Sequence, residues 1–321
     1  MNALAALAAA LSLLGRHGTL VAALSIFVGL VFPGLAALLK PTLGPVIVVM
    51  LGLAFLRVDP AALRRYFTRP GLIAAAAVWL MLVTPALIGA TFLAAGVGRA
   101  MPGLYLMLVL QLSAPALMSA PAVAALLGLD VALTLAGLIV SIVVAPVTAG
   151  LFTHAFLGTT LTSPAALGLR LALIIAGSAL AAALIRRFAG AAFIEAQKLR
   201  IDGLSVLMFM TFAVAAMDGV TAHLVSDPLL VLRLTLLAFA LSLGMTAVTT
   251  LVFWPAGRAR AFAIGLIAGN RNIGLMLAAT GFAVPEVAWL YFAVAQFPIY
   301  LLPHLMRPLA RWATRPALGE R

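Results

Sequence analysis

Apolar residues run along this chain in long blocks, separated by short clusters of arginine. Gly18 to Leu39, Gly71 to Gly98, Met101 to Leu129, Val131 to Leu169, Leu234 to Gly257 and Val287 to Met306 carry no charged side chain. Each block supplies about the 20 residues that an α-helix needs to cross a bilayer. The pattern predicts ten spans, over 18–33, 42–56, 70–96, 101–127, 129–153, 166–185, 203–222, 228–253, 261–282 and 286–306. The expected fold class is an all-α polytopic membrane protein. Ten spans divide into two halves of five, and because five is odd the halves are expected to be inverted relative to each other. This gives a segment 1–17, a first repeat 18–153, a second repeat 154–309 and a tail 310–321.

Composition agrees with the pattern. The chain is 65% hydrophobic and only 9% charged, with a mean hydropathy of +1.22, whereas soluble domains are about 25% charged. The apolar stretch from Ala3 to Leu14 has no basic residue before it and Arg16 after it, the reverse of a secretory signal, so a retained helix is expected.

The formal net charge of +12 changes the picture only through its placement. The basic residues lie between apolar runs and form no patch with interleaved aromatics, so no nucleic-acid partner is expected. With the N-terminus inside, Arg16, Arg57, Arg64, Arg65, Arg69, Arg186, Arg187, Lys198, Arg200, Arg258, Arg260, Arg307, Arg311, Arg315 and Arg321 face the cytoplasm, and only Lys40 and Arg99 lie in outer loops. This asymmetry predicts two cytoplasmic termini, in a bacterial plasma (inner) membrane. The chain has no cysteine, which removes disulfides, thiolate metal sites and cysteine nucleophiles. No metal or other cofactor is expected.

Two spans are interrupted. Span 4 contains Ser113-Ala114-Pro115-Ala116-Leu117-Met118-Ser119-Ala120-Pro121, and each proline removes an amide donor and crowds the preceding turn. Span 9 contains Gly269-Asn270-Arg271-Asn272, a flexible glycine followed by three strongly polar side chains. Unpaired backbone at membrane depth is tolerated only inside protein or beside a water-filled cavity. Both interruptions fall on the fourth span of a half, the arrangement that points to a transport site. Pro115, Pro121 and Gly269 are therefore the candidate helix breaks.

Arg271 is the leading candidate for function, because a guanidinium at mid-span costs about 2.5 to 3.5 kcal/mol on insertion scales unless it faces a polar environment. Arg170 and Arg233, near span ends, are expected to reach the headgroups. Three roles for Arg271 stand open: paired hydrogen bonds to an anionic substrate, ties to backbone carbonyls or to Asn270 and Asn272, or a salt bridge with Asp130 or Asp218. Asp130 also suits capping of span 5, and Asp218 suits either a solvated helix end or a proton carrier. Gln111, Ser113 and Ser119 surround the span 4 break, where they either line a cavity or bond freed backbone groups. With Arg271, Asn270 and Asn272 they make up the candidate substrate-binding set.

These residues resemble the bile acid:sodium symporter family over nearly the whole chain. Arg69-Pro70 matches the basic residue and proline before span 3. Ala114 to Pro121 occupies the place of a Cys-Pro-Gly-Gly-Thr-Ala-Ser-Asn-type break, and Leu129-Asp130-Val131-Ala132-Leu133-Thr134 that of a Gly-Asp-Val-Ala-Leu-Ser-type start of span 5. Ile267-Ala268-Gly269-Asn270-Arg271-Asn272 aligns with Glu-Val-Gly-Met-Gln-Asn, and Gly274-Leu275 continues the match. The resemblance implies a panel domain packed on a core domain with two crossed, broken helices, and transport of organic anions. It also implies sodium ligands that are missing here: Ala120 and Pro121 replace the Ser-Asn pair, Ile267 the glutamate, Arg271 and Leu80 two glutamines, and Leu138 a threonine, leaving Thr134.

The resulting expectation is a secondary carrier for a small organic anion, working by alternating access. It is expected to be sodium-independent, with Arg271 standing where relatives hold the coupling cation. A non-transporting sensor of the same fold is the alternative. No phosphate-binding Gly-x-x-x-x-Gly-Lys-Ser/Thr loop and no paired catalytic carboxylates occur, so an enzyme is not expected.

Overall fold

The structure, a computed structural model, describes residues 24–58, 70–158 and 163–314 together with Ser12 and Val21. The expected helix from Ala3 to Leu14 apart from Ser12, the start of the first span, the link over 59–69 and the tail beyond Thr314 lie outside the described residues. Among the described residues the fold is all-α with no strand.

The elements that position the site are α1 (24–31), α2 (Pro33–Leu56), α3 (Pro70–Ala94), α4 (Pro102–Ser113), α5 (Ala120–Leu127), α6 (Val131–Leu157), α7 (Pro164–Ala189), α8 (Lys198–Ser226), α9 (Pro228–Val252), α10 (Arg258–Gly269), α11 (Ile273–Ala279), α12 (Glu286–Leu305) and α13 (Arg307–Thr314). Seven of them, α2, α3, α6, α7, α8, α9 and α12, are long and apolar enough to cross a membrane. Expected spans 4 and 9 are each divided, into α4 with α5 and α10 with α11, and every piece is too short to cross alone.

Helix starts follow from local chemistry. The Asp130 carboxylate accepts from the Leu133 amide at 3.0 Å, Ser163 from Ala166 at 3.1 Å and Asp227 from Leu230 at 3.0 Å, each satisfying one orphan donor of a first turn. Pro164 and Pro228 follow two of these caps, at positions where a missing amide leaves no bond unmade.

Large apolar side chains cover the outside: Phe188, Val225, Val147 and Leu38 are more than 70% exposed, an arrangement suited to lipid rather than water. The inside is tightly packed. A Cβ at Gly265 or Gly269 would collide with Thr250, Thr246 and the Ser242 carbonyl, so these two glycines, four residues apart, let α10 press directly against α9.

α2 and α8 run antiparallel and are bridged at both ends, by Lys40 to Asp218 at 2.8 Å and by Arg57 to Asp202 at 2.7 Å. α7 joins them, with Ser178 donating to the Val48 carbonyl at 3.3 Å and Arg186 donating to those of Leu56 and Val58. The broken helices pack with α3, α6, α9 and α12. A cavity lies between these two groups of helices.

Candidate functional site

The two interruptions meet. Leu117 donates its amide to the Asn270 carbonyl at 2.9 Å, Asn272 donates its amide to the Pro115 carbonyl at 2.8 Å, and Ala116 faces Arg271 in an isolated antiparallel bridge. Ala116 also donates its amide to the Ser141 hydroxyl of α6 at 3.1 Å. Two pieces of irregular backbone thus satisfy each other away from solvent, as an apolar surrounding requires.

Among the fully buried side chains, Arg271 is the largest, at 1% exposure. Its Nε donates to the Ala268 carbonyl at 3.0 Å, and Nη1 to the Ala114 carbonyl at 3.1 Å and the Met81 sulfur at 3.7 Å. Nη2 donates to the Leu80 carbonyl at 2.8 Å and the Thr84 hydroxyl at 3.0 Å. A guanidinium has five N–H donors, and these five contacts use all of them. No carboxylate takes part.

The acceptors are carbonyls that helices cannot satisfy. Ala268 lies in the last turn of α10, and Ala114 just beyond α4. Leu80 has a subtler origin. α3 widens to a π turn over Trp79–Val83, where the Thr84 amide reaches back five residues to Trp79. The next residue, Pro85, has no amide. The Leu80 carbonyl therefore lacks a helical donor and takes Arg271 and the Thr84 hydroxyl, the latter at 3.0 Å, instead. One side chain gathers the partial negative charge of three exposed carbonyls.

The asparagines flank this knot. Asn270 Nδ2 donates to the Leu266 carbonyl at 2.9 Å, and Asn272 Oδ1 caps α11 by accepting from the Leu275 amide at 3.1 Å. Asn270 Oδ1 and Asn272 Nδ2 are buried without a partner.

Arg271 and Asn272 also border the cavity, which measures about 430 Å³ and falls within the range of small-molecule sites. Leu117, Met118, Ser119 and Phe209 add to its walls, and Arg57 and Asp202, with His304 also on the lining, give it a charged end. At the opposite end of α8 and α12 the two groups of helices touch. Phe212 meets Phe292 edge-on at 5.9 Å, Trp289 Nε1 donates to the Asp218 carbonyl at 2.9 Å, and His223 contacts Glu286 at 3.0 Å.

A scan against models of known protein families finds no match, and a search of curated proteins finds none either.

Of the candidate substrate-binding residues, Arg271, Asn272 and Ser119 border the cavity and the rest do not. Gln111 accepts a hydrogen bond from the Tyr291 hydroxyl at 2.7 Å in the packed interior, and Ser113 donates to the Val109 carbonyl at 2.8 Å within its own helix. Asn270 serves α10 and the bridge. The paired hydrogen bonds to an anion considered for Arg271 have no donors left to make them. A salt bridge from Arg271 to Asp130 or Asp218 is not formed: Asp130 caps α6, and Asp218 holds Lys40, itself 4.3 Å from the Trp289 ring centre.

The breaks need a similar refinement. Pro115 sits in the unwound segment, whereas Pro121 falls in the first turn of α5 and starts a helix instead of interrupting one. Gly269 ends α10 without a left-handed φ, so its role is close packing on α9 and not flexibility. Sequence reasoning named Leu80 only as the place of a lost glutamine, and gave Thr84, Arg57 and Asp202 no place in the site. A proline five residues after Leu80 was the available signal of a carbonyl in need of a donor.

Proposed function

We propose that the chain is a secondary membrane transporter for a small organic anion, working by alternating access without sodium. The observation that carries this reading is the buried Arg271 guanidinium, which holds carbonyls from three separate segments, Leu80, Ala114 and Ala268, at the crossing of two broken helices. A bound cation could perform the same neutralisation only while bound, whereas a guanidinium performs it permanently. That favours a carrier whose core needs no coupling ion to stay assembled.

Two inverted five-helix halves, 18–153 and 154–309, fit the antiparallel pairing of the breaks. The resemblance to the bile acid:sodium symporter family accounts for the crossing and for the missing sodium ligands together. The arginine asymmetry assigns both termini, and the charged end of the cavity, to the cytoplasmic side of a bacterial inner membrane. A charged end to the cavity, with contacts between α8 and α12 at the other, supports the reading of one state of an alternating cycle. Ser119 and Asn272 are the polar side chains placed to meet a substrate at the crossing, the latter with an Nδ2 donor to spare.

Purified chain reconstituted in liposomes tests the reading with a panel of labelled carboxylates and sulfonates, in sodium and in choline buffers. Flux that persists unchanged in choline is expected. Strict sodium dependence would overturn the fixed-charge mechanism. Thermal stabilisation by an anion with no flux under any gradient would favour the sensor alternative.

A further inference from the structure

We infer that Arg57, not Arg271, is the residue that takes the charged head of an anionic ligand, and that Asp202 is the counter-ion that competes for its guanidinium. The inference rests on the carrier reading for its setting and on the geometry of the cavity for its content.

The cavity offers two guanidiniums. Arg271 is 1% exposed with all five donors used, so it contributes charge at a distance and no hydrogen bond. Arg57 follows the last turn of α2 at the cavity edge, with 36% of its side chain exposed and, among the described residues, one ion pair, Nη2 to Asp202 Oδ1 at 2.7 Å. A planar fork engaged through one nitrogen keeps donors for a second carboxylate-like group. Its backbone is fixed, because Arg186 of α7 donates to the carbonyls on either side of it, Leu56 and Val58. The fork is therefore aimed by α7 instead of wandering with the chain end.

The charges around it favour an anion. Among the described residues, Arg57, Arg271 and Asp202 are the formally charged side chains on the cavity wall, and they sum to one positive charge. Burial lowers the Arg57 pKa from its ordinary value and Asp202 acts in the opposite direction. Beyond this charged end the wall turns apolar, with Ile47, Met50, Val206 and Phe209. The ligand class that fits is an amphipathic monoanion, its carboxylate or sulfonate at Arg57 and its apolar body pointing toward Leu117 and Met118 at the crossing.

Three ten-carbon probes test this in lipid nanodiscs: decanoate, decanol and decylammonium, with binding followed by calorimetry. The wild-type chain should prefer decanoate to decanol by roughly ten-fold or more, the scale of a hydrogen bond to a charged group, and should bind decylammonium least. Arg57→Gln should erase the preference without changing decanol binding, and Arg57→Lys should keep part of it. Asp202→Asn should strengthen decanoate binding several-fold, because it frees the fork. That variant also keeps the inference testable if Arg57→Gln does not fold. A wild-type chain with no preference for decanoate, an Arg57→Gln chain that keeps the preference, or an Asp202→Asn chain that binds decanoate more weakly would each overturn the assignment. Binding with this selectivity but no flux in liposomes would remove the carrier reading and leave Arg57 in place.

Discussion

The two helix interruptions solve one problem by opposite means. Between α4 and α5 the chain unwinds over 114–119, where Ser119 is the single polar side chain, and its backbone is served from outside: by Ser141, by the Asn270 carbonyl, by the Asn272 amide and by Arg271. Between α10 and α11 the chain unwinds over three residues, each bringing its own polar side chain. Asn270 returns to Leu266, Arg271 to Ala268, and Asn272 caps the next helix. The first break contains a proline and relies on groups from elsewhere to pair its backbone, whereas the second brings its own polar side chains. One arginine therefore determines whether both survive in an apolar surrounding, and its removal should hurt more than any change to the break that looks more disrupted in sequence.

The sharpest way to break this asymmetry is Arg271→Met, which keeps bulk but strands the Ala114 and Ala268 carbonyls and leaves Leu80 with the Thr84 hydroxyl alone. A loss of about 3 to 5 kcal/mol is expected, because each buried acceptor left without a donor costs about 1 to 3 kcal/mol. It would be read as a lowered midpoint of thermal unfolding in detergent. Arg271→Lys, with three donors for five acceptors, should fall between that variant and wild type. A midpoint equal to wild type for Arg271→Met would mean that the carbonyls find other partners.

Gly269→Ala comes next. Its Cβ would meet Thr246 and the Ser242 carbonyl, pushing the second break off α9 at a cost of about 1 to 3 kcal/mol. The same substitution at Gly177, which has open space around it, should change the midpoint far less and serves as the control. Thr84→Val removes the hydroxyl that both accepts from Arg271 and donates to Leu80, and about 1 to 2 kcal/mol should be lost. The smallest effect is expected for Pro115→Ala, under about 1 kcal/mol, since the bridge to Asn270 and Asn272 and the Ser141 contact remain. A rise in helix content in Pro115→Ala, measured by circular dichroism, would show instead that the proline alone keeps the first segment open.

Apolar blocks of helix-spanning length and prolines at helix starts are local properties of a chain, so α2, α3, α6, α7, α8, α9 and α12 were legible as long apolar helices before any coordinates. The presence of polar residues at mid-span marked 270–272 in the same way, because a guanidinium surrounded by lipid is too costly to be left unanswered. What answers it was not legible. Leu80 and Ala114 lie about 190 and 157 positions away and carry no polar side chain, and only their carbonyls matter, which every residue possesses. Which carbonyls are left without donors depends on a π turn and on where each helix stops, and which of them one arginine can reach depends on how the broken helices cross. The chain alone thus determined that a buried charge had to be satisfied. Tertiary packing decided that backbone carbonyls satisfy most of it, and brought Arg57 to the wall of the same cavity.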